Sequence, residues 1–176
     1  MKKILVITAI LICIFVSTKE EHIIIPSSAI RFRIVANSNS LEDQNIKNTL
    51  EKKVENYLYK LVKDAKDSGE AKENILNHYE ELNVLVDKHM RAYKKDSTYN
   101  VSIGNNYFPV KKYKGVKYDA GYYESVVITL GRHQGLNWWC VIYPPLCLLD
   151  SNDVSAPKNK VEYTSLVREM LERYKM

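Results

Sequence analysis

Glycine and proline are scarce, at 6 and 5 of 176 residues. That excludes collagen-like repeats and long flexible linkers. It also leaves too few glycines for a phosphate cradle, and no P-loop, G-x-G-x-x-G, G-x-S-x-G or H-E-x-x-H motif occurs. Three cysteines are too few for a disulfide-rich miniprotein. No charge of one sign dominates: 26 Lys and Arg face 21 Asp and Glu, a net of +5, and the signs are interspersed. A nucleic-acid binder would show a clustered basic stripe, so no nucleic-acid partner is expected. The longest apolar run, Ile4 to Val16, spans 13 residues broken only by Thr8. As a helix it reaches ~20 Å, short of the ~30 Å hydrocarbon core of a bilayer.

What is present reads as one ordinary globular domain. Hydrophobic residues make up 45% and charged residues 27%, the balance of a chain that buries a core. The start reads as an address. Lys2 and Lys3 precede the apolar run, and Ser17 to Glu21 break it, which is the layout of a secretory signal. Residues 1–18 are therefore expected to be a signal peptide, or a short membrane anchor if uncleaved, with 19–29 a tether. That segment is also where membrane proximity would arise. The domain, 30–176, would then fold outside the cytoplasm, where disulfides persist.

Periodicity divides the domain. Ile30, Phe32 and Ile34 alternate along a strand. Ser40 followed by Asp43 resembles a capping box and opens a helix over 41–66, whose stripe includes Ile46, Leu50, Val54 and Leu58. Asp67-Ser68-Gly69 punctuates, and a second helix is expected over 70–94, making a helical hairpin. From Thr98 the period becomes two. A strand to Ile103, a turn at Gly104-Asn105-Asn106 and a returning strand over 107–114 are expected, with Pro109 demoting the last to an edge or bulge. Strands over 122–130 and 138–143, a polar stretch over 150–160 and a helix over 162–176 complete the reading. The fold class is α+β: an N-terminal strand, a helical hairpin, a mostly antiparallel sheet and a C-terminal helix.

Chemistry is harder to find. His78 and His89 lie eleven residues apart on one helix, about 16 Å along its axis, too far to share a metal. Cys140 and Cys147 flank Pro144-Pro145, a bend that brings them toward disulfide distance. Export favours their oxidation. Two rivals stay open: a zinc site completed by His133, and a Cys140 thiolate with His133 as base. Either would make the chain a small extracytoplasmic hydrolase. Trp138 and Trp139 are adjacent on a strand, so they point to opposite faces. An exposed Trp among many tyrosines suits a partner surface or an envelope glycan-binding module. Lys111, Lys112, Lys114 and Lys117 form the basic cluster, which suits either a guarded edge strand or an anionic membrane surface. On the residues alone, no catalytic group, metal or cofactor is assigned.

Two segments carry a family likeness. Arg33-Ile34-Val35-Ala36-Asn37-Ser38-Asn39-Ser40 with Asp43, Gln44 and Lys47, and Trp138-Trp139-Cys140-Val141-Ile142-Tyr143-Pro144-Pro145-Leu146-Cys147, resemble the stage II sporulation protein R family over roughly 30–150. Gly121-Tyr122-Tyr123-Glu124 and Leu130-Gly131 through Gly135 fit as well. The family usually carries Asp where Asn39 stands and Phe where Tyr143 stands. The resemblance implies a protein secreted from the forespore into the space between the septal membranes. There it would activate a membrane-embedded aspartyl protease of the mother cell, which then processes a pro-sigma factor. It implies a signal rather than an enzyme. The expected partner-binding residues are Arg33, Asn37, Ser38, Asp43, Gln44, Trp138 and Trp139; for Asn37 and Ser38, turn and cap hydrogen bonds are the competing role.

Overall fold

A computed structural model describes residues 23–93, 98–147 and 160–176. The signal or anchor over 1–18, the first residues of the tether and most of the polar stretch over 150–160 lie outside the described residues. The architecture is α+β. In chain order the elements are β1 (Ile23–Ile24), β2 (Ile30–Val35), α1 (Leu41–Val62), α2 (Ser68–Asn77), α3 (Tyr79–Ala92), β3 (Tyr99–Phe108), β4 (Lys111–Tyr113), β5 (Val116–Tyr118), β6 (Gly121–Leu130), β7 (Asn137–Tyr143) and α4 (Lys160–Arg173).

The main sheet has the order β3-β6-β2-β7. β3 and β7 run antiparallel to their neighbours, and β2 is parallel to β6 at the centre. Alternation sends Phe32 and Ile34 of β2 and Val126 and Ile128 of β6 to one face, all fully buried. Ile46, Leu50, Val54 and Leu58 of α1 close over them, and Ile75, Leu82 and Val86 of α2 and α3 complete the layer. The start of α1 is fixed by Ser40, whose Oγ accepts the Asp43 backbone N–H at 3.1 Å.

A smaller sheet, β1-β5-β4, lies beyond the other face. Lys114 and Gly115 join β4 to β5 with φ of 46° and 85°, the left-handed pair that a tight two-residue hairpin requires. Ile25, Ala29, Val116, Val141, Leu146, Tyr163 and Val167 form a second core there, with α4 packed on it.

Three expectations change. The helix expected over 70–94 is two helices, because His78 leaves helical geometry at φ −111°, ψ 24° and its N–H bonds back to Ile75 and Leu76. The turn expected at Gly104-Asn105-Asn106 lies inside the ten-residue β3, paired with Ser125, Glu124 and Tyr123 of β6. Gly104 takes φ +144° there, and the Asn106 amide bridges to the Ser125 hydroxyl at 3.0 Å, so the segment stays in the ladder. Of the expected tether, the described residues 23–29 are packed rather than loose: β1 pairs in parallel with β5, and Ile25 and Ala29 are buried. Among the described residues no helix is long and apolar enough to cross a membrane.

Candidate functional site

The turn between β2 and α1 is a hydrogen-bonded clamp. Asp43, buried in the first turn of α1, accepts from the Asn37 amide at 2.8 Å and the Ser38 hydroxyl at 2.6 Å. Its place at a helix N-terminus suits a negative charge. The other end of the Asn37 side chain accepts the Arg132 backbone N–H at 2.9 Å, and Asn39 accepts that of Leu136 at 2.7 Å. Gln44 donates to the Ser38 carbonyl at 2.9 Å and accepts from the Lys47 ammonium at 2.9 Å. Backbone bonds from Gln134 to Asn37 and from Gly135 to Ala36 add to the seam. The β6–β7 loop is thus tied to the β2–α1 turn. A Cβ on Gly131 or Gly135 would collide with Asn37 or with the Ser38 carbonyl, so both positions need glycine for close approach. An Asp at position 39 would offer the same acceptor as Asn39.

The face of the main sheet away from the helices is different in kind. Arg31 and Arg33 alternate with Phe32 and Ile34 and so point to it together. The Arg31 guanidinium lies 3.3 Å from the Tyr123 ring centroid, with Phe108 at 5.6 Å and Tyr118 at 6.0 Å. Arg31 is 2% exposed; Nη1 donates to the Asp119 carbonyl at 3.4 Å, while Nε and Nη2 meet no acceptor among the described residues. Burial pulls its pKa below the ordinary arginine value, partly offset by Tyr123, Tyr118 and Asp119. Arg33 stacks over Trp139 at 4.5 Å and is lowered by burial alone.

Trp138 and Trp139 do point to opposite faces. Trp138 meets Phe32 edge-on at 5.4 Å on the helical side; Trp139 meets Phe108 at 5.3 Å on the arginine side. Both are partly buried, so neither offers a bare ring. Just beyond, the sulfurs of Cys140 and Cys147 are joined, with Cα atoms 5.7 Å apart. Bonded to each other, they supply neither a thiolate nucleophile nor a thiolate ligand. Tyr143 is fully buried, donates to the Ala65 carbonyl at 3.4 Å and packs edge-on against Tyr174 at 5.2 Å. A phenylalanine there would lose the hydroxyl bond and keep the packing.

A cleft of about 650 Å³ runs along β7. One wall is α1, with Glu51, Lys52 and Glu55; the other includes Arg31, Lys111 and Lys112. Burial, then the neighbouring Glu55, raises the Glu51 pKa to about 7.

The three described histidines are structural or peripheral. His89 is buried; its Nε2–H donates to the Ile46 carbonyl at 3.0 Å, so Nδ1 is the acceptor for the Lys53 ammonium at 3.2 Å. Burial lowers its pKa, which keeps it neutral. His78 donates Nδ1–H to the Asn74 carbonyl at 2.8 Å. His133 sits in the β6–β7 loop at φ 46°. Among the described residues no group of three His, Cys, Asp or Glu is placed to hold a metal ion.

The structure brings Asn37, Ser38, Asp43 and Gln44 together in the clamp. It brings Arg33 and Trp139 together on one face of the sheet and leaves Trp138 on the other. Sequence reading missed Arg31, although two arginines at alternate positions of an apolar strand signal a cationic face. It also missed Glu51 and Glu55, one helical turn apart, which looked like solvated surface.

The family model described as stage II sporulation protein R matches residues 26–153. The stage II sporulation protein R of Bacillus subtilis (strain 168) is 36% identical over 143 residues, covering 81% of this chain. The chain spans 64% of that relative's length in this match. No solved structure matches. Both signature segments, the clamp and the β7 run, fall within the matched residues, and the chain belongs to the stage II sporulation protein R family.

Proposed function

We propose that this chain is an intercompartmental signal of sporulation, secreted from the forespore into the space between the septal membranes. There it activates a membrane-embedded aspartyl protease of the mother cell, and that protease removes the pro-sequence of a sigma factor. The chain acts as a ligand and performs no turnover of its own. Family membership is the observation that carries this reading. Two others support it: the leader-like apolar run at 4–16, and a joined cysteine pair of the kind that persists in oxidising compartments.

The test is deletion of the gene followed by immunoblotting of the sigma factor through sporulation. The expected result is accumulation of the uncleaved precursor, rescued by the full chain and not by one lacking residues 1–18. Normal processing in the deletion strain would overturn the reading.

A further inference from the structure

β7 is the last strand of the main sheet, with its inner edge paired to β2. Among the described residues no strand pairs with its outer edge. Exposed edges are templates for added strands, and proteins usually guard them with Pro, Lys, bulges or bends. β7 reads Asn-Trp-Trp-Cys-Val-Ile-Tyr, with neither Pro nor Lys, and its one irregularity, at Ile142, leaves Asn137 to Val141 in unbroken register.

The cleft along this edge has two unlike walls. The α1 wall mixes signs, with Glu51, Lys52 and Glu55. The opposite wall has one sign, from Lys111 and Lys112 with Arg31 behind them. Among the described residues no carboxylate forms an ion pair with Arg31, Lys111 or Lys112. Tyr123 occupies the flat face of the Arg31 guanidinium, which leaves the N–H edges, and two of these nitrogens are buried without an acceptor among the described residues. Buried donors are rarely left so. A strand added to an edge alternates its side chains between the two walls. On the second wall the charged side chains it would meet are all cations, set among aromatic groups such as Tyr113 and Tyr118.

We propose that the outer edge of β7 is a strand-addition site for an extended acidic segment of the partner, whose carboxylates turn toward Lys111, Lys112 and Arg31. This rests on the activator reading for the partner's identity and deepens it by naming the surface and its chemistry. Main-chain pairing supplies the affinity and the cationic wall supplies the selection. The apolar positions of the added strand face Trp138 and the disulfide.

The test uses the full chain in mild detergent and synthetic peptides. Acetyl-(Glu-Val)4-amide is titrated while the fluorescence of Trp138 and Trp139, the two tryptophans of the chain, is followed. The expected result is saturation at least tenfold tighter than with acetyl-(Lys-Val)4-amide. The Lys111→Glu/Lys112→Glu chain should reverse that preference. The acidic peptide N-methylated at every amide keeps its charge and should bind at least tenfold more weakly. Absence of saturation with either peptide, equal binding of the two, or indifference to N-methylation would each overturn the proposal. If neither peptide binds while gene deletion still blocks processing, the β7 assignment falls and the activator reading stands. If the acidic peptide binds and deletion leaves processing intact, the reverse holds.

Discussion

The two segments that carry the family likeness behave differently in the fold. The first, from Arg33 to Gln44, turns its polar groups inward: Asn37, Ser38 and Asp43 bond to one another, and Asn37 and Asn39 hold the β6–β7 loop. The second, from Trp138 to Cys147, starts on a sheet edge with which no described strand pairs, beside a cleft whose cations form no ion pair among the described residues. Both are rich in the residue types that mark interaction sites. What separates them is whether their hydrogen-bonding and charged groups are satisfied within the chain. The clamp spends its polar groups on stability, and the β7 edge leaves some of them open.

The largest expected effect breaks the clamp. Asp43→Ala removes a buried acceptor from both Asn37 and Ser38, and bonds to a charged group contribute ~1.5–3 kcal/mol. Urea unfolding should show a loss of about 3 kcal/mol. A loss below about 1 kcal/mol would mean that the turn is held by something else. Gly135→Ala follows, since its Cβ would collide with the Ser38 carbonyl. Overpacking of this kind costs ~1–3 kcal/mol, and the melting midpoint should fall accordingly. An unchanged midpoint would show that the loop can give way.

Glu51 gives a smaller, pH-dependent effect on the cleft side. Its folded pKa of about 7 stands above the ordinary 4.5, so the fold favours the protonated form. Its contribution is present in full below pH 4.5 and is lost as pH rises through about 7. Glu51→Gln should therefore flatten stability across that window and stabilise the chain above it, read from unfolding at a series of pH values. A parallel shift at all pH values would contradict the assignment. The smallest stability effect is expected from Lys111→Glu/Lys112→Glu. These side chains are exposed and form no ion pair among the described residues, so stability should stay within about 0.5 kcal/mol of the natural chain.

Much of this was legible because it is local. The alternation of Ile30, Phe32 and Ile34 marks β2, Ser40 marks the start of α1, and the prolines between Cys140 and Cys147 mark the bend that joins them. The break at His78 carries no Gly or Pro signal, so one helix was expected where two form. Gly104-Asn105-Asn106 has turn composition, yet long-range pairing with β6 overrides it. The parallel pairing of β2 with β6, and of β1 with β5, joins segments about 90 residues apart and has no local trace. The alternation of Arg31 and Arg33 is local, but the surroundings of Arg31 are not. Its environment is built by Phe108, Tyr118 and Tyr123, which arrive from β3, β5 and β6.

The most direct measurement follows sigma-factor processing in sporulating cells whose gene encodes Lys111→Glu/Lys112→Glu, with the chain at its natural level. If the β7 edge engages an acidic strand of the protease, the uncleaved precursor accumulates although the chain is folded and exported. Cleavage at the natural rate would contradict the account.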